Sequence, residues 1–426
     1  MFFSNLAIHS LFNNRRQYIS LFMVCLIGVS LILSAVSITD GMFSTVRYKA
    51  RQYYGGDIQF LGGWDIGKTN ADEEIEILRE VLPHDVQIFK RLDHDAASFH
   101  FFFEGNSVRQ RVLKGVNFDD EKDLFKLFKF SSGGAYSNDT HNSVIISKSL
   151  ASRLGVQVGD EILLEGNTIY GSTNTITLVL SGIFQDTSLF GMYTSYLDIR
   201  ALQQILLFPD NYVNRINFYY GDKQPTVQQI KALQAKLSEK FNMYPLTNNK
   251  QNFYDALNSP KDQPLYAIIT LDANIVDLEV LIDAIKAVII LVTVILILII
   301  SIGIGSTYKV IVMKRITEIG TYRAIGMKPS GVTLLFVTET LFLLTVGFIS
   351  GIIMTFIITF VLSRFDFSFI PAFDMFLMKG CLVPNYNVPK ALGLMSIITV
   401  TTLISVLFTI RKAVHISPVG ALATTN

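Results

Sequence analysis

Charged residues are scarce in this chain of 426 residues. They make up 17% of the sequence, half of the residues are hydrophobic, and the mean hydropathy is +0.40. A soluble domain is usually less apolar, whereas a chain lying wholly in lipid would carry fewer charges. Four stretches of the roughly 20-residue length that crosses a bilayer contain no charge: 17–39, 287–308, 340–363 and 391–410. The sequence therefore predicts four transmembrane helices in a protein that also has water-exposed parts.

Cysteine and catalytic motifs are also rare or missing. Cys25 lies inside the first apolar stretch and Cys381 in a predicted outer loop, so we expect no intrachain disulfide. The outer part of the protein must then be stabilised by its own core. No Gly-x-Ser-x-Gly or His-Glu-x-x-His motif occurs. We therefore expect no catalytic residue and no metal site in this chain, and any catalysis must come from a partner.

Basic residues are concentrated in the segments that four spans would place on the same side as the two termini. Nine of the 36 Lys and Arg residues, but one of the 35 acidic residues, fall there. Because such an excess marks the cytoplasmic side, we expect both termini in the cytoplasm. Alternatively, the first run is a cleaved signal peptide, since small residues at 34–37 stand near its end. We prefer a span, because the run is long for a signal peptide and its removal would leave an odd number of spans.

The predicted fold is an α-helical membrane protein with a large mixed α/β extracytoplasmic domain inserted between the first and second of four transmembrane helices. In the inserted segment, apolar runs predict strands at 57–61, 144–146, 162–164 and 176–180, and helical periodicity occurs at 72–82, 197–207 and 226–241. We expect two lobes. The predicted order is a cytoplasmic segment at 1–17, a span at 18–39, the outer domain at 40–285, a span at 286–308, a cytoplasmic region at 309–333, a span at 334–363, a short outer loop at 364–390, a span at 391–410 and a cytoplasmic tail at 411–426.

Two patterns resemble chemical sites but lack the right surroundings. Residues 62–69 match the phosphate-binding pattern G-x-x-x-x-G-K-T. They are expected outside the cytoplasm, with an exposed lysine, and the next helix opens with three acidic residues at 72–74, which would repel phosphate. Residues 93–95 with His100 offer metal-ligand types, but their spacing fits no known site. We interpret the first pattern as a chance match and the second as a surface turn beside a strand at 99–103.

The segment between the second and third apolar runs reads MKRITEIGTYRAIGMKPS, at residues 313–330. A helical wheel places Ala324 at the margin of one face, which carries Ile316, Ile319, Gly320 and Arg323. The opposite face carries Lys314, Glu318, Thr321 and Ile325. We interpret the first face as a docking stripe for a cytoplasmic partner, with Gly326 and Pro329 ending the helix. The alternative is a solvated loop held in place by its positive charge.

This segment resembles the coupling helix of FtsX-like permeases of ABC transporters. The family pattern is Glu-Ile-Gly, three residues, Ala, one residue and Gly, and it is met by Glu318, Ile319, Gly320, Ala324 and Gly326. Residues 144–164 resemble a stretch of the periplasmic domain of lipoprotein-releasing and MacB-like permeases. Asp40-Gly41, residues 55–58 and residues 417–422 extend the resemblance along the whole chain in the same order.

The resemblance implies a membrane subunit without ATPase activity of its own. It would work with a second membrane subunit, identical or homologous, and with two copies of an ABC ATPase, which would hold ATP and Mg²⁺; no nucleic acid partner is implied. The implied ATPase-docking residues are Lys314, Arg315, Ile316, Glu318, Ile319, Gly320, Arg323, Ala324 and Gly326. Lipoprotein-releasing members work by mechanotransmission, in which the outer domain moves a substrate already outside. Short loops and the absence of an intramembrane ion pair fit that mode.

Release of lipoproteins from the outer leaflet of the inner membrane is the function we favour, because residues 37–60 resemble that subclass. A periplasmic acceptor would then be a further partner. The alternatives are a MacB-like exporter of peptides or drugs with a separate ATPase, and an FtsX-like scaffold that controls cell-wall hydrolases. An amphiphilic substrate is expected at the outer ends of the first two spans, at Met42, Phe43, Val276, Leu278 and Leu281. These residues could instead only pack the base of the outer domain.

Three residues of the third span are assigned to helix packing. Glu339 lies about two turns into the span, where an unpaired carboxylate is costly, so it must be paired or near the interface. We expect a structural bond between helices in preference to a proton relay. Gly347 and Gly351 form a small-x-x-x-small pair that predicts close helix packing, within the chain or between subunits.

Overall fold

The computed structural model describes residues 15–186, 189–221, 223–367 and 369–414. The motif expected at 417–422 and most of the expected segment 1–17 lie outside these residues. In chain order the described elements are α1 (Arg15–Tyr54), β1 (Ile58–Gly63), α2 (Ala71–Val81), β2 (Gln87–Phe103), β3 (Asn106–Val116), α3 (Lys122–Phe125), β4 (Phe130–Gly133), β5 (Ser143–Ser147), α4 (Lys148–Leu154), β6 (Glu161–Asn167), β7 (Thr173–Phe184), α5 (Leu189–Met192), β8 (Thr194–Asp198), α6 (Ile199–Leu206), β9 (Arg215–Tyr219), α7 (Val227–Ser238), α8 (Lys250–Asn258), β10 (Leu265–Thr270), α9 (Leu271–Asn274), α10 (Val276–Lys314), α11 (Ile316–Ala324), α12 (Pro329–Leu362), the 3₁₀ helix η1 (Pro371–Phe376) and α13 (Val388–Val414).

Four of the described helices, α1, α10, α12 and α13, are long and apolar enough to cross a membrane. The first two have 40 and 39 residues. At 1.5 Å per residue each is about 60 Å long, roughly twice the hydrocarbon thickness of about 30 Å. These two helices therefore continue well beyond the apolar runs from which the spans were predicted.

The chain divides into two compact units. The first comprises residues 1–43, 282–365 and 382–426, and the second comprises 44–281 and 366–381. Most of the segment predicted as a separate outer loop thus belongs to the second unit. The Lys49 ammonium lies 2.7 Å from the carbonyl oxygen of Asp374 and 3.1 Å from its carboxylate. The two segments therefore fold together.

Small residues allow close helix packing in the first unit. A Cβ atom on Gly28 would lie 2.4 Å from the side chain of Ile300, so α1 and α10 approach closely at this point. Between α10 and α13, Ser301 donates a hydrogen bond of 2.9 Å to the hydroxyl of Thr401. One turn further, a Cβ on Gly305 would lie 2.1 Å from the Ser405 hydroxyl. Each contact depends on a side chain that leaves room for its neighbour.

The second unit is built on a ten-stranded sheet of order β10-β1-β9-β2-β3-β8-β5-β7-β4, with β6 pairing with both β2 and β7. Its two lobes share β2, which has 17 residues. The first part of β2 pairs with β9 and the last part with β6, with a register shift between Asp95 and Phe99. One core surrounds Phe60 and Phe218, and the other surrounds Phe101.

The strand, helix and turn predicted at 144–164 are present in the second lobe. The Ser147 hydroxyl caps α4 by accepting a hydrogen bond from the amide of Leu150. Gly155 ends the helix with φ +80°, and Gly159 forms the next turn with φ +98°. Both conformations favour glycine because they are left-handed.

Candidate functional site

The predicted docking segment forms a short helix between two long ones. Arg315 is the N-cap of α11, which covers nine residues. Gly326 then adopts φ +98°, a conformation that favours glycine. Pro329 begins α12, where its fixed φ suits the first turn of a helix. Local sequence therefore defines both ends of this segment.

The face predicted to dock a partner is largely turned into the protein. Ile319 is 3% exposed, and Gly320 is buried as well. On the opposite face Thr321 is exposed and Ile325 is 78% exposed. A helical wheel distinguishes the two faces but cannot tell which one packs on the chain itself. The surface available to a partner is therefore the face that was predicted to point away from it.

The remaining residues assigned to docking differ in their exposure. Lys314, Ala324 and Gly326 are exposed, whereas Ile316 and Glu318 are half-buried. These five remain available to a partner at least in part.

Arg323 is half-buried and partly used within the chain. Its guanidinium donates a hydrogen bond of 3.3 Å to the carbonyl oxygen of Met327. It therefore helps to close the turn that follows α11.

Arg315 is the docking residue that the structure reassigns most clearly. Its side chain is 1% exposed, and its Nη1 atom lies 2.8 Å from Oε2 of Glu339, which is fully buried. Nη1 also donates a hydrogen bond of 2.7 Å to the Tyr18 hydroxyl, and that hydroxyl donates one of 2.7 Å to Glu339. On its other side, Nε of Arg315 donates a hydrogen bond of 2.7 Å to Glu318. We call Tyr18, Arg315 and Glu339 the internal triad.

The internal triad corrects the expectation that no ion pair involves the membrane helices. An ionised carboxylate within a span is costly unless it is paired, and here Glu339 faces the one arginine at the start of α11. The Arg315 guanidinium also lies 4.9 Å from the centre of the Phe336 ring. Glu339 itself signals a buried partner, but its 24-residue separation from Arg315 hid the pairing. Tyr18 gave no signal in the sequence.

Gly347 and Gly351 pack against α1 of the same chain. A Cβ on Gly347 would lie 2.6 Å from the Cys25 sulfur, and one on Gly351 would lie 2.8 Å from the Val29 side chain. Residue numbers rise along both helices from the Tyr18–Glu339 hydrogen bond to these two glycine contacts. The helices α1 and α12 therefore run parallel. The glycine pair therefore holds two helices of one subunit together.

The residues predicted to contact an amphiphile differ in their exposure. Leu281 is 46% exposed, whereas Met42, Phe43 and Val276 are half-buried. The Phe43 ring lies 5.5 Å from the Lys286 ammonium. These four side chains remain partly open.

Leu278 packs inside the second unit. It is partly buried against Ala50, Leu271 and Ile275. Leu278 therefore has the alternative role given in the sequence analysis, which is to pack the base of the large domain.

The lysine of the phosphate-binding pattern, Lys68, already has partners within the chain. Lys68 is 8% exposed, contrary to the expected exposure. Its ammonium lies 2.8 Å from the Glu74 carboxylate and donates a hydrogen bond of 2.7 Å to the Gly62 carbonyl. Burial lowers the pKa of Lys68, although Glu74 opposes this shift. The strand before the match, β1, pairs antiparallel with both neighbours. This lysine is therefore a structural cation of the first lobe.

The predicted surface turn at 93–95 is wrong, because these residues belong to β2. Asp93 accepts a hydrogen bond of 2.6 Å from the Lys114 ammonium on the neighbouring strand. His94 packs edge-on against Phe99. Charged residues at the junction of the two lobes concealed the strand. Among the described residues, no group of three or more His, Cys, Asp or Glu could hold a metal.

Comparison with known proteins identifies the family. A family model described as FtsX-like permease C-terminal matches residues 290–418, and one described as MacB-like periplasmic core domain matches residues 24–236, half of the chain. The crystal structure of the periplasmic region of MacB from Actinobacillus actinomycetemcomitans has 11% sequence identity and a TM-score of 0.32, covering 54% of this chain and 95% of that one. A comparison with curated proteins finds no match. The chain belongs to the FtsX-like and MacB-like family of ABC transporter permeases.

Proposed function

We propose that this chain is the membrane subunit of an ABC transporter that releases lipoproteins from the outer leaflet of the inner membrane by mechanotransmission. FtsX-like permeases are membrane subunits without enzyme activity that work with ABC ATPases. In this proposal a separate ATPase, present in two copies, binds ATP and Mg²⁺, and a second membrane subunit completes the transporter. The chain itself needs no cofactor.

The internal triad is the observation that carries the mechanism. It joins the start of α11 to α1 and α12 through buried hydrogen bonds and an ion pair. A force applied to α11 would therefore reach three membrane helices, because α10 also ends at Lys314, directly before Arg315. Closure of the two ATPases around ATP would supply that force. Coupling of this kind needs no channel that opens alternately to each side.

The topology that we propose places the second unit outside the cell membrane. Residues 44–281 and 366–381 form one unit, which supports the proposal that the segments following α1 and α12 share one side of the membrane. The excess of basic residues assigns the other side, with both termini and α11, to the cytoplasm. The large domain is then an extracytoplasmic insertion between the first and second spans.

The docking surface for the ATPase is revised accordingly. We assign it to the exposed residues Thr321 and Ala324 of α11 together with Lys314 before the helix and Ile325 directly after it. Ile325, which is 78% exposed, offers an apolar side chain on this surface that a partner could bury. Gly326 allows close approach at the end of this face.

The substrate is proposed to be an amphiphile that contacts Met42, Phe43 and Leu281. Leu281 and the neighbouring Val280, which is 77% exposed, present apolar surface next to few charges. Burial of an acyl chain contributes about 0.8 kcal/mol per methylene group. A lipid-modified protein could rest its acyl chains on such residues while its protein portion faces the outer domain.

Two other functions remain candidates on specific observations. The match to the MacB-like periplasmic core domain favours an exporter of peptides or drugs. The match to the FtsX-like C-terminal region is shared by a scaffold that controls cell-wall hydrolases. The size of the second unit argues against the scaffold, which usually has a much smaller outer domain.

Photo-crosslinking distinguishes these functions. Crosslinkers at Met42, Phe43 and Leu281 should capture a lipoprotein in membranes, and ATP added with the ATPase partner should release it. A crosslinker at Ile302, which is 67% exposed on α10, is the control for membrane contact alone. Capture of an unlipidated peptide would favour the exporter. Capture of a periplasmic hydrolase, with no lipoprotein, would overturn the proposal in favour of the scaffold.

A further inference from the structure

An open cavity of about 770 Å³ lies in the second unit, and the proposed transport mechanism does not use it. Its walls come from the end of α1, the middle of β2 and β3, and the first residues of β9 and α8. Small-molecule sites commonly have about 300–1,000 Å³. The cavity is therefore large enough to enclose a ligand of metabolite or headgroup size.

The lining of this cavity carries more positive than negative charge. Asp93 and Asp95 are its two carboxylates. Its five cationic side chains are Arg109, Arg111, Lys114, Arg215 and Lys250. With both carboxylates ionised, the lining side chains carry a net charge of +3. A partly enclosed site of one sign attracts ions of the other sign.

Asp93 is already committed to the wall of the cavity. Its Oδ2 atom lies 2.6 Å from the Lys114 ammonium and 4.0 Å from Nε of Arg215. Burial acts to raise the pKa of Asp93, but the neighbouring cations hold it below its usual value. Burial lowers the pKa of Lys114 to about 8 even with Asp93 beside it. Asp93 therefore cannot neutralise the rest of the lining.

Arg111 and Lys250 are the cations that this wall leaves available. Among the described residues, neither side chain has a hydrogen-bond or salt-bridge partner. The Arg111 guanidinium lies 4.8 Å from the centre of the Tyr193 ring, and the Lys250 ammonium lies 5.5 Å from that of Tyr54. Burial lowers the pKa of Lys250, although the nearby Asp277 carboxylate opposes this shift.

Two buried cations of the same unit are matched to carboxylates, whereas Arg111 is exposed and Lys250 is half-buried. Arg51 lies 2.7 Å from Asp57, and Lys68 lies 2.8 Å from Glu74. Burial of a charge costs free energy that a partner must offset. Arg111 and Lys250 instead line the cavity without a carboxylate in salt-bridge contact, and a bound anion would supply such a partner.

We propose that this cavity binds an anionic ligand that carries phosphate or carboxylate groups. Arg111 and Lys250 hold the anionic group, because guanidinium and ammonium donors form strong hydrogen bonds to such oxygens. Tyr54 and Tyr193 pack against the uncharged part of the ligand. A free phosphorylated or polycarboxylate compound and the headgroup of an anionic phospholipid share this chemistry. The site is independent of the substrate that the transporter moves.

Isothermal titration of the full-length protein in neutral detergent tests the site. The soluble probes are pyrophosphate and citrate, and the lipid probe is a short-chain phosphatidylglycerol with phosphatidylcholine of equal chain length as its neutral match. At least one anionic probe should bind, with a Kd that rises with salt concentration. Binding of pyrophosphate or citrate alone identifies a soluble ligand. Binding of phosphatidylglycerol and not of phosphatidylcholine identifies a headgroup.

Substitutions of cavity residues test whether the probes bind in the cavity. Arg111→Gln/Lys250→Gln should raise the Kd at least tenfold. Lys231→Gln/Lys236→Gln, which removes two exposed charges from α7, should leave it within twofold. If the double variant melts at a lower temperature, the Kd values of the two single variants, Arg111→Gln and Lys250→Gln, are compared with the control instead. The proposal fails if no anionic probe binds, if the only binding is that of both lipids equally, or if the control pair lowers affinity as much as the cavity pair.

Discussion

The guanidinium of Arg315 and the carboxylate of Glu339 lie 2.8 Å apart in the interior of the helix bundle, with exposures of 1% and 0%. They are 24 residues apart in the chain and belong to different elements, since Arg315 precedes α11 and Glu339 lies within α12. The position and the orientation of α11 therefore depend on this ion pair. Several of its consequences can be measured.

Replacement of both members of the pair should cost less than the two single replacements added together. Arg315→Met or Glu339→Leu leaves the other charge buried, and such changes cost about 3–5 kcal/mol. The double variant should be more stable than the sum of the two losses predicts, by at least about 1 kcal/mol. Chemical unfolding of the purified protein measures the cycle. Strict additivity would show that the two side chains do not interact.

A charge on the exposed face of α11 should release the ATPase partner. Ile325→Asp places a carboxylate at a residue that is 78% exposed, and we expect a loss of at least tenfold in ATPase affinity with normal yield of the membrane protein. Co-purification measures the loss. Val227→Asp, at a residue 68% exposed on α7, is the matched control. Unchanged ATPase binding in Ile325→Asp would exclude this face as the docking surface.

Gly347→Ala should destabilise the protein because its methyl group would meet the Cys25 sulfur at 2.6 Å. Overpacking of this kind costs about 1–3 kcal/mol. Gly393→Ala on α13 is the control, since nothing lies within 4 Å of its added Cβ. Thermal unfolding in detergent compares them. If Cys25→Ala does not recover part of the loss in Gly347→Ala, the contact is not the cause.

Lys68→Met should lower the stability of the protein without changing any nucleotide affinity. The variant leaves Glu74, whose side chain is 14% exposed, without its cation. We expect a loss of about 2 kcal/mol or more, which Lys68→Met/Glu74→Leu should partly restore. Thermal unfolding with and without Mg-ATP measures both effects. Stabilisation by Mg-ATP that disappears in Lys68→Met would mean that the phosphate-binding pattern is functional.

Impermeant thiol labelling should distinguish the two sides of the membrane. Ala235→Cys, at an exposed position of α7, should react on intact spheroplasts, whereas Thr321→Cys should react only after the cells are opened. Both substitutions are made in a chain without Cys25 and Cys381. Labelling in the reverse order would invert the proposed topology.

Apolar patterns in the sequence identified the membrane helices and the β5-α4-β6 corner, because burial in lipid or in a sheet requires continuous or alternating apolar residues. They identified the last part of β2, at 99–103, but failed for its earlier part, where Arg91 and Asp93, with Lys114 of the neighbouring strand, put charges at the junction between lobes. They also failed to assign the buried face of α11. The periodicity of a helix does not predict which other element packs against it. Tyr18 and Arg315 come into contact with Glu339 only when the helices fold together.

The strand shared by the two lobes limits how the second unit can be cut for biochemical work. A fragment from which the second lobe is deleted would keep the pairing of residues 87–91 with β9 but lose the pairing of residues 99–103 with β3 and β6. Unpaired strand edges template aggregation. A soluble version of this domain therefore has to retain both lobes, and the two lobes should melt as one cooperative block.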